Sequence, residues 1–141
     1  MKLYRLAHTE IAFRLEDNPI SGFNFIGKQP FYCAFESIAA AILECSVYRT
    51  LKRMPHSFCF VEFRLPDHCW ISTIQDESII DPVEGTFTGY PGTKAQQFLQ
   101  ERKALVASFP SFHWRAQLNF LINPRHPLFK EITITKILPC I

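Results

Sequence analysis

The strongest constraint in this sequence is the run Ile38-Ala39-Ala40-Ala41-Ile42-Leu43-Glu44-Cys45-Ser46-Val47-Tyr48, good helix formers with apolar side chains on nearly every face. A helix of that kind cannot bury one stripe and expose the rest, so other elements have to enclose it. Ser37 stands just before it, where a hydroxyl caps the first open N–H groups. The chain that must build the enclosure has 141 residues, about the length of one domain with one core and too short for two. A single domain spanning residues 1–141 is expected.

The remaining segments show what could surround the helix. Residues 3–7 alternate around Arg5, and 31–35 are short, aromatic and bounded by Pro30, so both read as strands. Residues 59–65 alternate as a third strand, 70–74 as a weaker one, and 104–109 and 132–137 as two more. Residues 93–101, opening on Thr93, read as a capped amphipathic helix. Turn formers fill 16–22, and Phe23-Asn24-Phe25-Ile26-Gly27 reads as a loop carrying rings. Residues 76–92 collect Asp, Pro and Gly and are expected to edge a cleft. Short strands that do not alternate regularly with helices imply an α+β domain with mixed and antiparallel pairing, not a doubly wound sheet.

Composition narrows the function classes. A net charge of +2 without a basic block excludes a surface built to neutralise a nucleic-acid backbone. No run approaches about eighteen apolar residues, and the N-terminus lacks a signal-peptide stretch, so no membrane partner is expected. Cys33, Cys45, Cys59, Cys69 and Cys140 form no C-x-x-C pair and read as buried thiols of a cytoplasmic protein. The five histidines make no ligand cluster, so no metal is expected. Fourteen phenylalanines suit an aromatic core more readily than a pocket for a flat ligand.

Among residues able to do chemistry, Glu44 is the anomaly: one carboxylate within an apolar helix needs either a partner or a solvent-facing stripe. Arg5, between apolar strand neighbours, could be that partner or an anion clamp. Ser111 follows Pro110 at a strand end, where its hydroxyl can cap a turn or meet a ligand. Cys33 could be a nucleophile if a distant histidine approached it, or a small core residue. No G-x-S-x-G elbow and no glycine-rich phosphate loop is present.

Three stretches, taken in order, resemble the RES domain. These are Tyr4-Arg5-Leu6; Tyr32-Cys33-Ala34-Phe35-Glu36-Ser37 followed by Ala41-Ile42-Leu43-Glu44; and Phe109-Pro110-Ser111 with Asn119-Phe120-Leu121-Ile122-Asn123-Pro124 and His126-Pro127-Leu128-Phe129. The resemblance implies an ADP-ribosyltransferase-like fold and a bacterial toxin that degrades NAD by hydrolysis or phosphorolysis. NAD would be the substrate, with no resident cofactor, and a helix-turn-helix antitoxin of the Xre type would hold the toxin inactive; a homodimer is left open. By the same carry-over Glu44 stabilises the ribose cation as nicotinamide departs, and Ser111 bonds the ligand near the reacting end. Arg5 binds a phosphate, and Tyr32 stacks on nicotinamide.

The chain departs from the family at two places. The family's Gly-Gly-Arg-Trp element corresponds to Ser21-Gly22-Phe23-Asn24, without its arginine, so Lys28 or Arg14 would have to supply the second cation. Counted back from Glu44, the family's tyrosine falls on Cys33, which would leave stacking to Phe23 and Phe25. These departures support an alternative, a catalytically degraded RES-like domain acting as a binding or interaction module.

Overall fold

The computed structural model describes residues 1–8, 25–26, 29–30, 32–47, 58–75, 92–111 and 116–139. Among them, strands β1 (Lys2–His8), β4 (Tyr32–Phe35), β5 (Phe58–Arg64), β6 (Ile71–Thr73), β7 (Val106–Pro110), β8 (Leu118–Ile122) and β9 (Thr133–Pro139) form one sheet in the order β6-β7-β8-β4-β1-β5-β9. Helices α1 (Ile38–Val47) and α2 (Gly92–Glu101) accompany it. All the pairings are antiparallel except β6 with β7, so the α+β expectation holds. Two short strands, β2 (Phe25–Ile26) and β3 (Gln29–Pro30), pair with each other where a loop was expected around Phe25. Among the described residues no helix is long and apolar enough to cross a membrane.

Side chains alternate across a strand, so the register sorts the sheet into two faces. On one face Leu3 and Ala7 of β1 cluster with Val61 and Phe63 of β5, Phe120 and Ile122 of β8, and Phe129 and Ile132 of the 3-10 segment near the C-terminus. On the other, Leu6, Phe35 and Phe60 pack against Ala40 and Ala41 of α1. Ala107, Phe109 and Leu121 meet Ala95, Phe98 and Leu99 of α2 on that same face. Both helices therefore cover one side of the sheet. The apolar run from Ile38 forms α1, capped as expected by Ser37, whose Oγ accepts from the Ala40 N–H at 3.0 Å. The enclosure is partial at the surface, because Ile42 and Leu43 remain exposed.

The 3-10 helix Pro127–Glu131 is fixed at its start by His126, whose Nδ1 accepts from the Leu128 N–H at 3.1 Å. Pro127 suits the first position, where its missing N–H costs nothing. Asn123 ties the end of β8 to α2: its Nδ2 donates to the Leu99 carbonyl at 2.9 Å, and its Oδ1 accepts from the Arg125 N–H at 3.0 Å. Residues 76–91, expected to edge a cleft, lie outside the described residues; residues within 70–74 and 94–104 line a cleft of about 350 Å³ between β6 and α2.

Candidate functional site

The register draws one row of residues across the helix-covered face. Phe109 pairs with Asn119, Asn119 with Phe35, Phe35 with Tyr4, Tyr4 with Glu62, and Glu62 with Lys136. Adjacent members stand on neighbouring strands about 4.8 Å apart. α1 starts directly after Phe35, so this row passes the beginning of the helix. The parallel row through Cys33, with Leu121, Leu6 and Phe60, is apolar and lies beneath the two helices.

At one end of the polar row, the Ser111 N–H donates to the Gln117 carbonyl at 2.8 Å, extending the β7–β8 ladder past Pro110. Ser111 and Asn119 are each only 1% exposed. The Asn119 Oδ1 and the Gln117 Nε2 are buried with no hydrogen-bond partner among the described residues. One is an acceptor and the other a donor, and leaving such a group unsatisfied costs about 1–3 kcal/mol. This end of the ladder can therefore gain from a ligand or water that offers both functions.

At the other end Glu62 is buried yet keeps its charge. Its Oε1 accepts from the Thr135 hydroxyl at 2.7 Å and lies 3.2 Å from the Lys2 ammonium, while its Oε2 accepts from the Tyr4 hydroxyl at 2.8 Å. A β-bulge opposite Glu62 and Phe63 inserts Thr135 into β9 and makes this contact. The Thr135 and Tyr4 hydrogen bonds, aided by Lys2, outweigh desolvation and hold the Glu62 carboxyl down at about 2. The same contact, with burial and the carboxylate charge, raises the Tyr4 phenol above its ordinary value. A carboxylate so fully engaged is a poor proton acceptor, which assigns Glu62 to holding β1, β5 and β9 together. Sequence reasoning passed over it, although a lone Glu between Val61 and Phe63 was a signal of the same kind as Glu44.

The residues singled out in the sequence divide between the two faces. Arg5, 1% exposed, pairs with Val61 and shares the Leu3–Ala7 face, opposite the face that α1 covers. Arg5 thus lies on the face of the sheet away from α1, the helix that carries Glu44. Glu44 lies in the last turn of α1. Cys33 is half-buried between both helix-facing clusters, and Tyr32 pairs with Ile122 through β4 and β8. Lys28, Arg14 and Phe23 lie outside the described residues. The structure therefore brings together Ser111, Gln117 and Asn119, with Cys33 on the helix-covered side, and keeps Arg5 apart from them. No family model matches the chain, and no curated protein matches it.

Proposed function

We propose that the protein is a RES-like enzyme that degrades NAD by cleaving the bond between nicotinamide and ribose. The observation that supports this reading is the location of buried polarity. Of the buried polar residues Arg5, Glu62, Ser108, Ser111, Asn119 and Asn123, four belong to the three stretches that carry the RES resemblance. Asn123 is accounted for by its bonds to Leu99 and Arg125. Glu62 is accounted for by its own cluster. Beside Ser111, the Asn119 Oδ1 is buried with no hydrogen-bond partner among the described residues, and a ligand that donates to it would relieve that cost.

In this reading the glycosidic electron pair leaves with nicotinamide, and the ribose ring carbon and oxygen share the positive charge that develops. Glu44 supplies the compensating carboxylate and Ser111 a hydrogen bond at the reacting end. Water, which releases a proton to solvent as the C–O bond forms, or phosphate then attacks the ribose carbon. Tyr32 or the Phe23–Phe25 rings provide the stacking surface and Lys28 a phosphate contact, while Arg5, on the opposite face, serves the fold in place of the phosphate contact that the resemblance implies. An ADP-ribosyltransferase-like arrangement, a cytoplasmic location and a helix-turn-helix antitoxin are part of the same reading. Incubating the protein with NAD, with and without phosphate, tests it: nicotinamide should appear, with ADP-ribose as coproduct in water and its phosphorylated form in phosphate. No nicotinamide in either buffer would reject the enzyme.

The separation of Arg5 from Ser111 and Asn119 favours a second reading, a RES-like domain that binds a ligand or partner without turning it over. It predicts that NAD raises the melting temperature while remaining intact.

A further inference from the structure

The cleft between β6 and α2 has a composition that the NAD reading does not use. Its floor is apolar, made by Ile74, Phe98 and Ala104. Its wall carries Trp70, a large ring that is 64% exposed. Indole rings left in water beside a concave surface are a common means of holding a flat ligand. At about 350 Å³ the cleft is near the lower end of ligand pockets, about 300–1,000 Å³, which suits one ring system with one substituent and not a dinucleotide.

The rim determines the charge of that substituent. Glu101 is already engaged, its Oε1 accepting from the Gln97 Nε2 at 2.8 Å and its Oε2 standing 3.5 Å from the Lys103 ammonium. Lys94 is different: its ammonium donates to the neutral Gln75 carbonyl at 2.9 Å and has no carboxylate partner among the described residues. It also stands in the first turn of α2, which holds no acidic residue and where the helix dipole already places positive potential. A cation with no carboxylate partner among the described residues, in the first turn of a helix and lining the same cleft as an exposed indole, suits an anion carried on a ring.

We propose that this cleft binds a small aromatic anion, a flat ring system against Trp70 with a carboxylate or phosphate on Lys94. Neither Glu44 nor Ser111 lines this cleft, and binding there does not require NAD cleavage. Calorimetric titration of the full chain with adenosine monophosphate and indole-3-acetate distinguishes the two kinds of anion, while adenosine and inorganic phosphate each present half of the ligand. At least one of the two ring anions should bind about tenfold or more tightly than adenosine or phosphate alone. Lys94→Gln should remove that advantage, and Trp70→Ala should weaken binding of the ring. Both side chains are exposed, so neither substitution threatens folding. Ring anions that bind no better than the half-ligands, or whose binding survives both substitutions, would overturn the proposal.

Discussion

Glu62 and Glu44 are two carboxylates in apolar sequence surroundings, and the three-dimensional partners of Glu62 are what assign it a role in the fold. For Glu62 those partners are Thr135, Tyr4 and Lys2. Its carboxyl titrates at about 2 in place of an ordinary 4.5. The folded state therefore holds that proton less readily than the unfolded chain does. The resulting stability is present above pH 4.5 and is lost as the pH falls toward about 2. Denaturant unfolding at a series of acidic pH values should show this loss in the wild type and lack it in Glu62→Gln. Equal acid sensitivity in the two proteins would remove Glu62 from the account of stability. Tyr4→Phe and Glu62→Gln should also combine non-additively, since each deletes the same hydrogen bond. None of these partners could be read from sequence, because Thr135 reaches Glu62 across 73 positions through a bulge that no local pattern announces.

Elements were legible where their pattern was local. Alternation marked β1 and β5, and the apolar run with its Ser37 cap marked α1. β8 was not recognised as a strand, although its residues had been noted as a motif. Leu118-Asn119-Phe120-Leu121-Ile122 lies at the interior of the sheet, with both faces covered over most of its length, so it shows no alternation. The amphipathic pattern of residues 93–101 marked α2, which begins one residue earlier, at Gly92. Asn123 is the link between these two elements, bonding the α2 carbonyl of Leu99 from the end of β8. Asn123→Ala leaves that buried carbonyl without its donor and should cost about 1–3 kcal/mol, read from denaturant midpoints at unchanged slope. A loss well under 1 kcal/mol, about the floor of that range, would mean that water replaces the amide.

For the whole molecule, both helices lie on one side of a seven-stranded sheet, and the Asn119 Oδ1 and Gln117 Nε2, buried with no hydrogen-bond partner among the described residues, stand at its β7–β8 end. The sequence suggested the residue types of this site, Ser111 and the Asn119 motif, but not that Arg5 would face the other way. Strand parity alone fixes that, and it depends on a register that pairs Arg5 with Val61. If Arg5 serves the fold from its own face, Arg5→Met should lower stability without changing the affinity for NAD, and paired thermal-shift titrations separate the two effects. A selective loss of NAD affinity in a fully folded Arg5→Met would instead return Arg5 to the ligand. The most direct test of the central claim is nicotinamide release from NAD by the wild type beside Glu44→Gln at equal folded concentration. The account predicts release by the wild type and a fall of about a hundredfold or more in the variant. Release at an equal rate by both would contradict the role given to Glu44, and release by neither would contradict the enzyme itself.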